Sequence, residues 1–290
     1  MRLKLTGCRV SVLLESLVQA HRALRFTLNT LGAPAWTLEA TARNARAYGY
    51  AGVDLRLLDG EVISLDSVRA NRERIKVLFP LDELPVSTLA TSVRLATREP
   101  QIRQAALDEG NAWIDLAAEL QVPVIRFFAA RNPPEMDLES SIQAVGEMLA
   151  LLADRAREAG VKIGVETHDE FASARTVARA LAFAPPESTG AVWDMWHTTR
   201  AGESAAECIQ LLNGRIINVH LKDARRAADG WQLVLLGEGD IPVQEGLQRL
   251  RTTGYAGTVS VEWEKKWHPE IAEPEVAFPQ YMQVLRSYLQ

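Results

Sequence analysis

The chain of 290 residues contains two cysteines, Cys8 and Cys208, and five histidines. Two distant cysteines without metal-type spacing give no basis for a disulfide framework and point to a reducing, cytoplasmic setting. Apolar runs are short as well. None approaches the roughly 18–20 residues that a bilayer span requires, so no membrane association is expected. Positive charge is not in excess, because 32 Lys and Arg stand against 37 Asp and Glu, a net charge of −5. Nucleic acid and anionic membrane surfaces need clustered positive charge, so neither is expected as a partner. Also missing is a GxGxxG pattern after the first predicted strand, which counts against a dinucleotide-binding fold.

What is present is a large apolar fraction, 47% of the residues, ample for a sizeable core. The first residues, MRLKLTGCRVSVLLESLVQA, place basic residues before an apolar run, the outline of a signal peptide. Glu15 breaks that run and no convincing small-residue cleavage pattern follows, so residues 1–24 read as an N-terminal extension.

From residue 25 onward, short β-rich runs alternate with helical patterns. RFTLNTLG, AGVDLRLL, LPVSTLAT and VPVIRFFAA each precede a helix in the first half. VKIGVETH, TGAVWDMWHT, RIINVHLKDA and AGTVSVEWE do so in the second. Strands alternating with helices of about 10–20 residues imply parallel βαβ units. Eight such units over residues 25–290 match a (β/α)8 TIM barrel, an α/β fold in one catalytic domain. An open doubly wound sheet also alternates, but polar residues here sit at the C-terminal ends of several strands, as barrel active sites require.

Four of those strand ends carry acidic or imidazole groups: Glu166 in IGVETHDE, Asp194 in AVWDMWH, His220 in INVHLKDA and Glu262 in VSVEWEK. Each follows apolar or small residues and therefore lies near a buried strand end. Three anions converging there would repel one another unless a cation sat among them. One divalent metal ion held by Glu166, Asp194, His220 and Glu262 resolves the conflict. The oxygen-rich donor set suits Mn²⁺ or Mg²⁺, with Co²⁺ and Zn²⁺ also compatible.

These residues, with the LGEGDIPV segment, occur in an order that resembles the sugar-phosphate isomerase/epimerase superfamily, the xylose-isomerase-like TIM barrels. In ketose 3-epimerases of that superfamily the matching positions bind a divalent metal, and two glutamates exchange protons with substrate from opposite faces. The resemblance thus implies that Glu166 and Glu262 are the catalytic acid/base pair, acting through a metal-stabilised enediolate. It also implies substrate contacts for His197, three residues past Asp194, and Arg226, six past His220. One departure is plain: where those epimerases place a further substrate-contacting glutamate, this chain has Ala172.

Further positions follow from spacing. His168, two past Glu166, points to the same side if the strand continues. Trp196, two past Asp194, is a candidate pocket wall on the same argument, while Trp193 and Trp263 face the helices. Lys222 and Asp223 either face the mouth or pair with each other. Trp267 and His268 belong to a loop over the mouth or to a solvated one.

The expected function is a metal-dependent isomerase or epimerase of a small sugar-like polyhydroxy carbonyl compound. A lyase on a keto-inositol, dehydroshikimate-like or keto-glycoside substrate is the alternative, since the same enediolate can expel a β-substituent. Hydrolytic DNA repair on this fold needs a multi-zinc cluster with many more histidines. A barrel that only binds a ligand has no use for the acid/base pair. A homo-oligomer is compatible with such barrels, but no interface signature marks one.

Overall fold

The computed structural model describes residues 24–129, 136–212, 214–228 and 230–290. The extension expected over residues 1–24 lies outside the described residues except for Leu24. Eight strands form the framework: β1 (Arg25–Asn29), β2 (Val53–Leu55), β3 (Val86–Arg94), β4 (Val124–Phe128), β5 (Lys162–Glu166), β6 (Thr189–Asp194), β7 (Ile216–Leu221) and β8 (Thr258–Val261). Every neighbouring pair is parallel, in the order β1-β8-β7-β6-β5-β4-β3-β2, and β2 closes the circle on β1. The expected TIM barrel is the observed fold.

The strands are buried on both faces, which is why they read as near-continuous apolar runs rather than alternating ones. Helices cover the outside: α1 (Leu38–Tyr48), α2 (Leu65–Ala70), α3 (Arg72–Leu78), α4 (Pro100–Leu120), α5 (Leu138–Glu158), α6 (Ala174–Leu181), α7 (Met195–Arg200), α8 (Ala205–Leu212), α9 (Val243–Thr252) and α10 (Pro274–Tyr288). Their ends follow capping chemistry. Thr37 accepts from the Ala40 N–H at the start of α1, and Asp137 accepts from Ser140 at the start of α5. No described helix is long and apolar enough to cross a membrane.

Three local features depart from the periodicity of the sequence. The single helix expected after AGVDLRLL is two helices, broken at Asn71, whose side chain donates to the Ser67 carbonyl at 2.9 Å. The sixth strand stops at Asp194 instead of running to residue 198, and α7 begins at once. Between the seventh strand and the helix that follows it lies an antiparallel hairpin, Asp223–Ala227 with Gly230–Val234.

Parallel closure puts the C-terminal ends of all eight strands on one face, where the candidate site lies. A cavity of about 1010 Å³ opens at the opposite end, lined by strand-start residues such as Arg25, Val86, Val124, Lys162 and Thr258. It is remote from the strand-end carboxylates.

Candidate metal centre and active site

One potential ligand atom from each of Glu166, Asp194, His220 and Glu262 lies within 4.8 Å of the others, and all four residues are buried. Glu166 ends β5, Asp194 ends β6, His220 lies one residue before the end of β7, and Glu262 follows β8. The Glu262 N–H donates to the Leu221 carbonyl at 2.9 Å, extending the strand pairing just far enough to place its carboxylate.

His220 is oriented from below. Its Nε2 lies 3.0 Å from Asp54 Oδ2, and the same oxygen accepts from Ser260 Oγ at 2.8 Å and Asn218 Nδ2 at 3.3 Å. Barrel interiors are usually filled by branched apolar side chains; here a polar layer supports the imidazole. With Nε2 directed to Asp54, Nδ1 faces Glu166 Oε1 (2.7 Å) and Glu262 Oε1 (3.1 Å). In the charged ring Nδ1 donates to these carboxylates, and a metal ion bound there would take the place of that proton. Burial opposes a charged ring, yet Glu262 and Glu166 outweigh it and hold the His220 pKa well above its ordinary value.

Cations already border the carboxylates. Lys222, fully buried, places Nζ 2.6 Å from Asp194 Oδ2, 2.5 Å from Glu262 Oε2 and 2.8 Å from Glu264 Oε1. Arg126 Nε lies 3.3 Å from Glu166 Oε2, and Arg126 Nη1 donates to the Thr91 carbonyl at 2.8 Å. Burial alone would raise the Glu166 carboxyl, but Arg126 and His220 hold it below the usual carboxylate range. His220 and Lys222 likewise outweigh burial at Glu262. At Asp194, burial pushes the carboxyl up further than Lys222 pulls it down. An anionic excess remains after Arg126, Lys222 and the nearby Arg56 are set against Asp54, Glu166, Asp194, Glu262 and Glu264. Donor chemistry, spacing and charge therefore all fit a divalent cation.

A chain of rings leads away from the cluster. The Trp196 and His197 ring centroids are 4.9 Å apart, His197 and His168 are 4.3 Å apart, and His168 and Phe128 are 4.9 Å apart. His197 Nε2 is buried 4.0 Å from Asp194 Oδ2 and has no hydrogen-bond partner among the described residues, and Trp196 Nε1 is likewise unpartnered among them. Burial, Lys222 and His168 lower the His197 pKa to about 3, so its imidazole is neutral. Buried polar atoms without partners are uncommon and fit a site that awaits a ligand.

The model of the family described as "Xylose isomerase-like TIM barrel" matches residues 42–288. The chain belongs to this family. Among its relatives, YihM of Escherichia coli K12 is 21% identical over 209 residues, covering 70% of this chain and 59% of YihM. MJ1311 of Methanocaldococcus jannaschii is 28% identical over 121 residues, covering 39% of this chain and 41% of that protein. The match thus spans about three-fifths or less of these relatives' length. Solved structures share the fold at low identity. A zinc-bound IolI protein has a TM-score of 0.74 at 16% identity, covering 92% of this chain and 96% of that one. The 3-keto-D-glucoside 4-epimerase YcjR of E. coli has 0.70 at 16%, covering 92% and 99%. AsbF of Bacillus anthracis, a probable 3-DHS dehydratase, has 0.72 at 16%, covering 91% and 99%.

Within this xylose isomerase-like barrel, the four expected metal ligands come together and the substrate-side residues divide. Trp196, His197 and His168 line the ring chain beside the cluster. Trp196 gets there on a helix rather than a strand, since α7 begins at Met195. Lys222 does not pair with Asp223; it bridges three carboxylates instead. Asp223 accepts the N–H groups of Gly237, Gly239 and Ile241. The fit leaves no room for a side chain, because a Cβ on Gly239 would lie 2.1 Å from Asp223 Oδ1.

Arg226 is not brought to the cluster. It lies on the exposed hairpin, with its guanidinium carbon 5.1 Å from the Trp231 ring centroid. Trp193 and Trp263 are core residues, donating to Thr198 Oγ1 and the Ala272 carbonyl. Trp267 is exposed, and His268 faces Glu264 and Glu270, as in a solvated loop.

Sequence reasoning missed Asp54, Arg56 and Arg126. AGVDLRLL carries the same signal that marked Asp194, a carboxylate inside a buried apolar strand, and could have exposed Asp54.

Proposed function

We propose that the protein is a divalent-metal-dependent isomerase or epimerase of a small polyhydroxy carbonyl compound. The observation that carries this reading is the buried cluster of Glu166, Asp194, His220 and Glu262, with both glutamates against His220 Nδ1, at 2.7 and 3.1 Å. A divalent cation held by these residues supplies Lewis-acid stabilisation for the oxyanion that develops when a C–H next to a carbonyl is broken. Mn²⁺ or Mg²⁺ suits the oxygen-rich donors best, with Co²⁺ and Zn²⁺ as further candidates.

The chain's own residues do the proton work. Glu166 and Glu262 rise from strands separated by β6 and β7 and are the acid/base pair. One removes the proton from one face and the other returns a proton on the opposite face. Both carboxyls are held ionised, Glu166 by Arg126 and His220, Glu262 by His220 and Lys222. Trp196 and His197 limit water at the reacting carbon, which protects a carbanion-like intermediate from side reactions. The neutral His197 offers its unpartnered Nε2 to a substrate hydroxyl. His168 extends that wall, and Lys222 holds Asp194 and Glu262 in place instead of contacting substrate.

The test is deuterium exchange from solvent, screened over ketoses, ketoacids and keto-inositols with Mn²⁺ present. Exchange at the carbon beside the carbonyl is expected, and E166Q and E262Q should each abolish it. Exchange that survives both substitutions rejects the acid/base assignment. Loss of water to an unsaturated product with new ultraviolet absorbance would make the enzyme a lyase working from the same deprotonation.

A further inference from the structure

Three arginines surround one ring. The guanidinium carbons of Arg126, Arg94 and Arg56 lie 3.9, 5.0 and 5.9 Å from the Phe128 ring centroid. Arg56 follows β2, Arg94 ends β3 and Arg126 lies in β4, whereas the ligand carboxylates lie on β5, β6 and β8. The mouth of the barrel is thus divided into an acidic side and a cationic side, joined by Phe128 and His168.

The arginines differ in how far their charge is met. Arg126 faces Glu166, and Arg94 Nη1 lies 3.3 Å from Asp169 Oδ2. Arg56 Nη1 donates to the Ala90 carbonyl at 3.0 Å and to Ser92 Oγ at 2.8 Å, both neutral acceptors. Among the described residues, no carboxylate comes within ion-pair distance of Arg56, and its Nε and Nη2 meet no acceptor. Neither of those nitrogens is completely sealed from solvent. Yet Arg56 is only 7% exposed. Asp54, Glu166 and Glu262 attract it only from beyond ion-pair distance, so this deeply buried guanidinium has no direct counter-ion, and a bound anion would supply one. Burial and the like charge of Arg126 pull its pKa down to about 10, against the opposing pull of Glu166, Glu262 and Asp54.

Given the isomerase reading above, we propose that Arg56, supported by Arg94, binds an oxyanion on the substrate. The compound turned over is then an acidic polyhydroxy carbonyl compound, carrying a carboxylate or a phosphoryl group, and not a neutral sugar. Its carbonyl end lies at the glutamates and its anionic end on the β2–β4 side, with Phe128 beneath. Arg56 is fixed through Nη1, so the rest of its planar fork is pre-organised for an anion. Arg94, half-exposed, adds attraction at the rim. A neutral sugar leaves the buried guanidinium unpaired and is discriminated against for that reason.

The experiment is calorimetric titration of the full-length, Mn²⁺-loaded protein with 2-keto-D-gluconate, D-fructose 6-phosphate and D-fructose. At least one anionic probe is expected to bind about tenfold or more tighter than fructose, the worth of one charge-assisted hydrogen bond. Which of the two binds tighter identifies the group as carboxylate or phosphoryl. R56M should remove the preference and R56K should retain part of it. R94Q, at a position with no role in the core, should reduce it and weaken its dependence on salt. Circular dichroism and melting temperature establish that the variants are folded. Equal affinity for all three probes, an absence of binding by both anions, or a preference that survives in R56M would each overturn the proposal. Binding is read without turnover, so a failure of the deuterium-exchange test is a separate result.

Discussion

The Lys222 ammonium stands 2.6 Å from Asp194 Oδ2, with both side chains sealed from solvent. It is also 2.5 Å from Glu262 Oε2, so one fixed cation joins two of the four candidate metal ligands. A lysine two residues past His220 on β7 thus helps hold the carboxylates together.

Removing that cation should be costly. K222M leaves Asp194, Glu262 and Glu264 facing one another without their ammonium, and an unpaired buried charge typically costs about 3–5 kcal/mol. Urea denaturation in the presence of chelator measures this loss, and added Mn²⁺ should recover part of it. Unchanged stability of the metal-free variant would show that the carboxylates take up protons instead.

Asp54 touches none of the other three candidate ligands, yet it orients His220 through Nε2. D54N preserves shape and removes the charge that fixes the imidazole. Metal affinity is expected to fall about 10–100-fold, the usual effect of losing such a partner. Titration with Mn²⁺ against a competing chelator reads this out, and wild-type affinity in D54N would show that Asp54 serves packing alone.

Metal removal should show in stability as well as in exchange. A ligand bound only by the folded state at about 100 times its Kd adds about 2.7 kcal/mol. Differential scanning calorimetry should therefore give a lower melting temperature after chelation, restored by Mn²⁺. D194N combined with E262Q should melt at one temperature with or without the ion.

An acid-sensitive contact lies away from the site. Arg74 binds Glu39 through Nε (2.7 Å) and Nη2 (2.6 Å) and reaches Asp59 through Nη1 (2.5 Å). Those hydrogen bonds lower the Glu39 pKa to about 2 from 4.5 and hold Asp59 down as well. A depressed folded-state pKa means that the stabilisation is present above the unfolded value and is lost as pH falls toward the folded one. R74M should therefore be less stable than wild type near about pH 6, and the gap should be clearly smaller near about pH 3, closing only toward about pH 2. A gap of the same size at both pH values would rule out the ionic origin.

The barrel was legible because each strand is a short β-rich run, apolar enough to be buried on both faces, and each is followed by a helical period. The cluster was legible because a carboxylate at the end of such a run has no apolar reason to be there. Other features were harder to read. Asp194 ends its strand by capping α7, so Trp196 lies beside His197 on a helix, where period-2 reasoning expected a strand. The hairpin after β7 was hidden in charged residues, although its sequence carries an Asp-Gly pair, a strong turn signal. Arg226 was placed by counting along that segment, and the hairpin turns it toward Trp231. Arg56 and Arg126 gave no sign, because an arginine's partners come from distant strands that only closure of the barrel brings near.

The two oxygens of Asp194 serve different masters. Oδ1 accepts the His197 N–H at 2.9 Å and so starts α7, while Oδ2 faces the cluster. A carboxylate is a rigid plane, so one oxygen cannot be re-aimed without moving the other. Whatever Oδ2 binds therefore sets the pitch of the helix that carries Trp196 and His197. The pocket wall is geared to the ion site through a single side chain, and a change in occupancy below is transmitted to the rings above.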